Sequence, residues 1–185
     1  TLSNLEILTR TQIQLLHGTK SVRNTNYIMK SLRPYTNFIR LNEYAYYLNK
    51  HGREIVGSDR KFRADGQLTH KIMRNDAYIY FKPTRWITEQ EITLKDITVR
   101  PDAYFYAGDS YYFLEVDNLQ RWSHNVKKLE EYKKLEDTGI FQRKIGVFPT
   151  IVWVIKLESR KPKLIGLSEE LGLQAEVYYH DEVKI

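Results

Sequence analysis

Apolar residues along the first 50 positions switch from helical spacing to alternation. Thr9-Arg10-Thr11-Gln12 reads as a capping box for a helix carrying Ile13, Leu15 and Leu16, and Gly18 stops it. Ser21 then caps a second helix whose buried stripe is expected to be Val22, Ile28, Met29 and Leu32. Arg23, Asn24, Asn26 and Lys30 project elsewhere, and Pro34 ends the helix. Phe38 to Leu41 and Tyr44 to Leu48 read as two strands around Asn42-Glu43, and Lys50-His51-Gly52 leads into another short piece.

The stretch 53–67 is polar and glycine-containing, which marks a boundary. Leu68, Ile72, Met73 and the run from Ala77 to Phe81 suggest a helix, and 83–95 a connection with one short strand. Val99 to Asn118 then reads as a β-hairpin turning at Gly108-Asp109, with Gly first as a two-residue type II′ turn prefers. That register sets Tyr106 against Tyr111, Tyr104 against Phe113 and Asp102 against Glu115, with Arg100 facing Asp117 as a cross-strand ion pair. The aromatic runs on both strands fit cross-strand packing. An amphipathic helix follows, with Trp122, Val126, Leu129, Tyr132 and Leu135 at helical spacing and Gly139 as its stop. Thr150 to Ile155 fits a strand buried on both faces, Leu167 to Leu171 a short helix, and Glu176 to Tyr179 a last strand.

These elements divide the chain into segments 1–57 and 67–185, the second an α+β or α/β sheet domain. The net charge of +6 lies wholly in residues 1–66. Residues 1–66 carry 11 Lys/Arg against 5 Asp/Glu, and residues 67–185 carry 18 of each. A basic segment on a neutral one suggests that the first part meets a polyanion. No cysteine is present, which excludes disulfides, thiolate metal sites and cysteine nucleophiles. There is no apolar run of membrane-spanning length and no visible signal peptide, so the expected location is the cytoplasm, without a membrane partner.

Asp102 and Glu115 are the chemically pointed pair. Like charges directly opposite destabilise a hairpin, and a divalent cation with oxygen ligands would offset the repulsion. Among positive groups, Lys127 and Lys128 open the following helix, and only one of these neighbours can share a face with the carboxylates. Lys128, beside the apolar stripe, is the better placed.

Helix, tight turn, helix and hairpin in this order resemble a winged helix-turn-helix. That resemblance makes Arg23, Asn24, Asn26 and Lys30 groove-facing, with Arg40 and Lys50 on phosphates and double-stranded DNA as partner. Asp102 after a proline, with Glu115-Val116-Asp117 ending the next strand before a helix, resembles the PD-(D/E)XK nuclease core. The resemblance implies a mixed sheet with flanking helices, and Mg2+ or Mn2+ held by Asp102 and Glu115. It also implies catalytic roles for Asp102, Glu115, Asp117 and Lys128, although Asp117 stands where that motif has its lysine.

The whole chain resembles the replication-relaxation family of plasmids, phages and integrated elements in Gram-positive bacteria. The likeness lies in the LTRTQIQLL start, Tyr46-Tyr47-Leu48, His70 with Asn75-Asp76, the RPDAYF and YYFLEVD strands, and the helix through Lys128 to Tyr132. His70 and Asp76 lie on the helix where the nuclease-like fold often adds an acid. The family implies a DNA-binding protein serving replication, relaxation or maintenance of a mobile element. Two readings stay open: a nuclease-like scaffold that binds DNA without cutting it, and a Mg2+-dependent endonuclease or nickase targeted by the winged helix. A third is an adaptor that recruits replication or conjugation proteins.

Overall fold

The computed structural model describes residues 1–88 and 90–184, which form two compact units, Thr1–Ile79 and Tyr80–Lys184. Two elements too short for a periodic signal open the first unit, α1 (Leu2–Leu5) and β1 (Ile7–Thr9). The capping box then works in both directions. Thr9 Oγ1 accepts from the Gln12 N–H at 3.1 Å, and Gln12 Oε1 accepts from the Thr9 N–H at 2.9 Å, opening α2 (Arg10–His17). Ser21 caps α3 (Val22–Ser31) through the Asn24 N–H at 3.2 Å.

The inward line of α3 is Thr25 and Met29, with Ile28 half-buried. Val22 and Leu32, expected inside, are exposed. They occupy the two ends of the line, and the facing α2 is only 8 residues long. Thr25 can be buried because its hydroxyl donates to the Ser21 carbonyl at 2.9 Å.

Strands β2 (Thr36–Arg40) and β3 (Tyr44–Leu48) form the hairpin, with Phe38 opposite Tyr46 and Arg40 opposite Tyr44. β1 adds to β3 through Ile7 opposite Tyr47, giving a three-stranded antiparallel sheet of order β1-β3-β2. Ile7, Ala45 and Phe62 form a core against Ile39, Tyr47 and Leu68. Helix α4 (Lys50–Val56) is capped by Asn49 on the Gly52 N–H at 2.8 Å.

Helix α5 (Leu68–Phe81) belongs to the first unit through Ile79. It is latched there by buried polar contacts. Glu6, in the left-handed region at φ 66°, pairs with Lys71 at 2.9 Å and Arg74 at 3.1 Å. Asn75 donates to the carbonyls of Leu5 and Ile7, at 3.0 and 2.6 Å. Gln12 donates to Asp76 at 2.7 Å and to the Ile72 carbonyl at 3.0 Å.

In the second unit, the described residues of 83–95 hold two strands where one was expected, β4 (Arg85–Thr88) and β5 (Ile92–Leu94), and β6 (Ile97–Val99) follows them. β5 and β6 pair as a separate hairpin. β7 (Ala103–Ala107) and β8 (Ser110–Asp117) pair as the turn requires, with Tyr106 opposite Tyr111 and Tyr104 opposite Phe113. Gly108 alone of the two turn residues has positive φ, at 57°, as a type II′ turn needs.

β9 (Thr150–Ile155) and β10 (Ala175–Tyr179) extend the sheet in parallel. The result is a mixed five-stranded sheet of order β10-β9-β8-β7-β4. Residues 151–155 of the interior strand β9 are wholly buried. Flanking helices are α6 (Trp122–Asp137), α7 (Ile140–Ile145), α8 (Arg160–Glu170) and α9 (His180–Val183). α8 is longer than the short helix expected after Leu167. Phe113, Trp153 and Val177 from the sheet pack with Leu129, Tyr132 and Leu135 of α6 and Leu164 of α8. The opposite face of the sheet stacks Phe105 on Phe81 with ring centres 5.3 Å apart.

Candidate functional site

Alternation along β8 sends Phe113, Glu115 and Asp117 to the side covered by α6. Each meets a different chemistry. Phe113 stacks on Tyr132 with ring centres 5.2 Å apart. Glu115, with no exposed surface, accepts the Tyr132 hydroxyl at 2.6 Å and pairs with the Lys128 ammonium. Asp117 accepts from Asn125 Nδ2 at 2.7 Å and from the Gln120 N–H at 3.0 Å, and Arg160 approaches to 3.7 Å. Asn125, rather than the half-buried Val126, takes the inward place on α6.

The direct pairing of Asp102 with Glu115 does not form. The ladder ends at Ala103 opposite Leu114, and Asp102 lies in a bend just before β7. Its N–H donates to the Leu114 carbonyl at 2.9 Å, and its carboxylate accepts the Val116 N–H at 2.7 Å. Nor does Arg100 pair with Asp117. Arg100 lies beyond the end of the ladder and bonds Glu91 instead. Lys127 stands in solvent with Glu131 at 3.7 Å.

Electrostatics tie the group together. Burial pushes the Glu115 carboxyl up to about 7, against the pull of Lys128 and with the Asp102 charge adding to the rise. For Lys128 burial acts downward, but Glu115 and Asp102 outweigh it and hold the ammonium above its ordinary range. Burial and the Glu115 charge push the Tyr132 phenol well above its usual range, so it stays a donor. The repulsion expected between the carboxylates is thus met by a lysine and a tyrosine. Among the described residues, no three His, Asp or Glu side chains gather as a metal-holding group. Asp102 and Glu115 remain the acids that would carry one.

In the first unit, Arg23, Asn24, Asn26 and Lys30 are all exposed on α3. The Asn24 amide is committed to the Thr19 carbonyl at 2.9 Å. Arg40 is exposed at the tip end of β2. Lys50 sits past the other end of the hairpin, at the start of α4, with Glu54 at 3.9 Å. Pattern reading missed Tyr27, 74% exposed one turn from Arg23 and Lys30, and Arg33, which borders a groove with Phe38 and Tyr44. The helical offset of Tyr27 from Arg23 was the available signal. Asp76 serves the latch onto α2 through Gln12, and Asn75 the latch onto α1 and β1.

Among the described residues no helix is long and apolar enough to cross a membrane. A replication-relaxation family model matches residues 1–151. No curated protein matches the chain. The crystal structure of protein VC1899 from Vibrio cholerae is similar at 15% identity and a TM-score of 0.40, over 87% of this chain and 40% of that one. The chain therefore spans less than half the length of that protein.

Proposed function

The chain belongs to the replication-relaxation family, and from that membership we propose a DNA-binding protein acting in replication, relaxation or maintenance of a plasmid, phage or mobile element. The observation that carries the reading is α3. It presents Arg23, Asn26, Tyr27 and Lys30 to solvent while Thr25 and Met29 hold it down. With α2, the turn at 18–21 and the β2–β3 hairpin, it supports reading segment 1–57 as a winged helix-turn-helix, whose second helix enters the major groove. Segment 1–57 supplies the reading surface, and the sheet unit is a nuclease-like scaffold. In that unit Lys128 already neutralises Glu115, and Asp117 is spent on holding the start of α6.

A second reading, a Mg2+- or Mn2+-dependent endonuclease, draws on the same lysine. Lys128 reaches Glu115 from α6 and brings a positive charge to the carboxylates although Asp117 replaces the motif lysine. Bound there, the ion would rest on Asp102 and Glu115 and polarise a phosphate or a water.

Fluorescence anisotropy of the whole chain on duplex DNA at rising salt tests the first reading. Affinity should fall steeply as phosphate contacts release counterions, and Arg23→Ala with Lys30→Ala should weaken it. Absence of duplex binding at low salt refutes the major-groove reading of α3. Incubation with supercoiled DNA and Mg2+ or Mn2+ separates the readings. An intact plasmid supports the scaffold, and cleavage lost in Asp102→Ala establishes the endonuclease.

A further inference from the structure

Both faces of the hairpin are packed at its base, where Thr36, Tyr46 and the adjoining Leu8 are buried on the side away from Phe62, and that side opens only toward the tip. Ile39, Ala45 and Tyr47 point into the core, whereas Phe38 and Arg40 of β2 share the other face with Tyr44 and Tyr46 of β3. On that outer face Phe38 is 50% and Tyr44 39% exposed, although both are large aromatics. Their rings meet edge to face with centres 4.9 Å apart. Tyr46 closes the cluster at 6.3 Å from each. Between these rings and α3 lies an open groove of about 230 Å³ bordered by Asn26, Lys30 and Arg33.

The groove is held open by its own framework. Glu43 at the wing tip accepts the Thr11 N–H at 3.0 Å and its hydroxyl at 2.9 Å, and pairs with Arg10 at 3.3 Å. That fixes the tip to the start of α2 and neutralises the acid nearest the rings. The charges left beside the aromatics are positive: Lys30, Arg33 and Arg40.

Exposed π faces beside fixed cations match a flat aromatic group attached to a phosphodiester. Duplex DNA offers base edges in its grooves but keeps base faces stacked inside. Unpaired bases offer their faces, and stacking on aromatic side chains within a basic groove is how single strands are held. We propose that the groove between α3 and the wing takes an unpaired nucleobase, so that this face prefers single-stranded or locally melted DNA over intact duplex. The proposal rests on the DNA-binding reading above and narrows its ligand.

The test uses the whole chain and fluorescein-labelled probes: an oligothymidylate of about 20 nucleotides, longer than one stacking site needs, its abasic counterpart, and a blunt duplex. The variant Phe38→Leu with Tyr44→Leu keeps apolar bulk and removes the π faces. It should bind the oligothymidylate about tenfold more weakly, the range of losing one or two stacked bases, with duplex affinity unchanged. Phe38→Tyr should retain wild-type binding. A 2-aminopurine placed in the strand should be quenched by the wild type and not by the leucine variant. Equal losses on strand and duplex, or no loss on either, overturn the proposal. So does a wild type that binds abasic and thymidine strands alike while still binding duplex, an outcome that leaves the DNA-binding reading standing. Failure to bind any of the probes removes both.

Discussion

Lys128 and Glu115, 13 positions apart, form an ion pair beneath α6 in which the carboxylate has no exposed surface and the lysine side chain keeps 29% of its own. The asymmetry matters. Lys128 can turn to water if its partner is lost, whereas Glu115 cannot.

Lys128→Ala should therefore be strongly destabilising at pH 8, by about 3–5 kcal/mol, the cost of stranding one member of a buried pair. At pH 5 the stranded carboxyl takes up a proton, and the deficit should shrink. Urea titrations of wild type and variant at the two pH values measure both numbers, and a deficit independent of pH would mean that Glu115 is not the group being stranded.

Glu115→Gln should alter the shape of the stability–pH curve. The folded carboxyl is raised to about 7 from 4.5. Its contribution is fully present below about 4.5 and lost as pH rises through about 7. Glu6 has the opposite sign. Burial works against its charge, but Lys71 and Arg74 hold it below the ordinary carboxylate range, so its contribution is lost as pH falls through that depressed value. Removing the Glu115 titration should flatten the loss between pH 5 and 7 and leave the acid limb, which Glu6→Gln should soften. Thermal melts across that range check the pair.

Gly52→Ala addresses a close approach. A Cβ at this position would lie 2.1 Å from the Tyr35 carbonyl oxygen, which also accepts the Asn49 N–H at 3.0 Å. Backbone has to shift, and the expected cost is about 1–3 kcal/mol, as for overpacking. An unchanged melting temperature would show that the α4 end of the β2–β3 hairpin yields freely.

A fragment ending at Ile79 should fold and bind DNA, whereas one ending at Gly66 should not fold cooperatively. The shorter piece lacks Lys71, Arg74, Asn75 and Asp76, which answer Glu6, two strand-side carbonyls and Gln12. Circular dichroism melts of the two fragments decide it.

Arg23→Ala or Asn26→Ala should change sequence preference on duplex, and Arg40→Ala should weaken every sequence alike and lower the salt slope by about 1. Competition binding over a randomised duplex pool reads both. Equal, sequence-independent losses for all of them would mean that α3 is not the groove-facing helix.

The hairpin was legible because Gly108-Asp109 fixes its turn and the alternation on both sides agrees with one register. The same register was carried two pairs too far, to Asp102 with Glu115 and Arg100 with Asp117. Pro101, which has no N–H to give a ladder, was the available signal that pairing stops at Ala103, where Asp102 turns its carboxylate onto the Val116 N–H. Lys128 over Lys127 followed from its place beside Leu129 and Tyr132. That Glu115 lies inside did not follow, because sequence gives two faces to a strand and does not say which one a later helix covers. α1, β1, β5 and β6 run 3 or 4 residues each, too short for any period to show.

The three contacts between β8 and α6 differ in kind: ring on ring at Phe113, charge on charge at Glu115, carboxylate on amide at Asp117. They therefore act as an index. Sliding α6 by one helical turn would set the Lys128 ammonium on the Phe113 ring in one direction, or in the place of Asn125 beside Asp117 in the other, leaving Glu115 buried without its lysine. No displaced position satisfies all three, so the helix has one docking position, and the Lys128 ammonium is held at the buried Glu115 carboxylate.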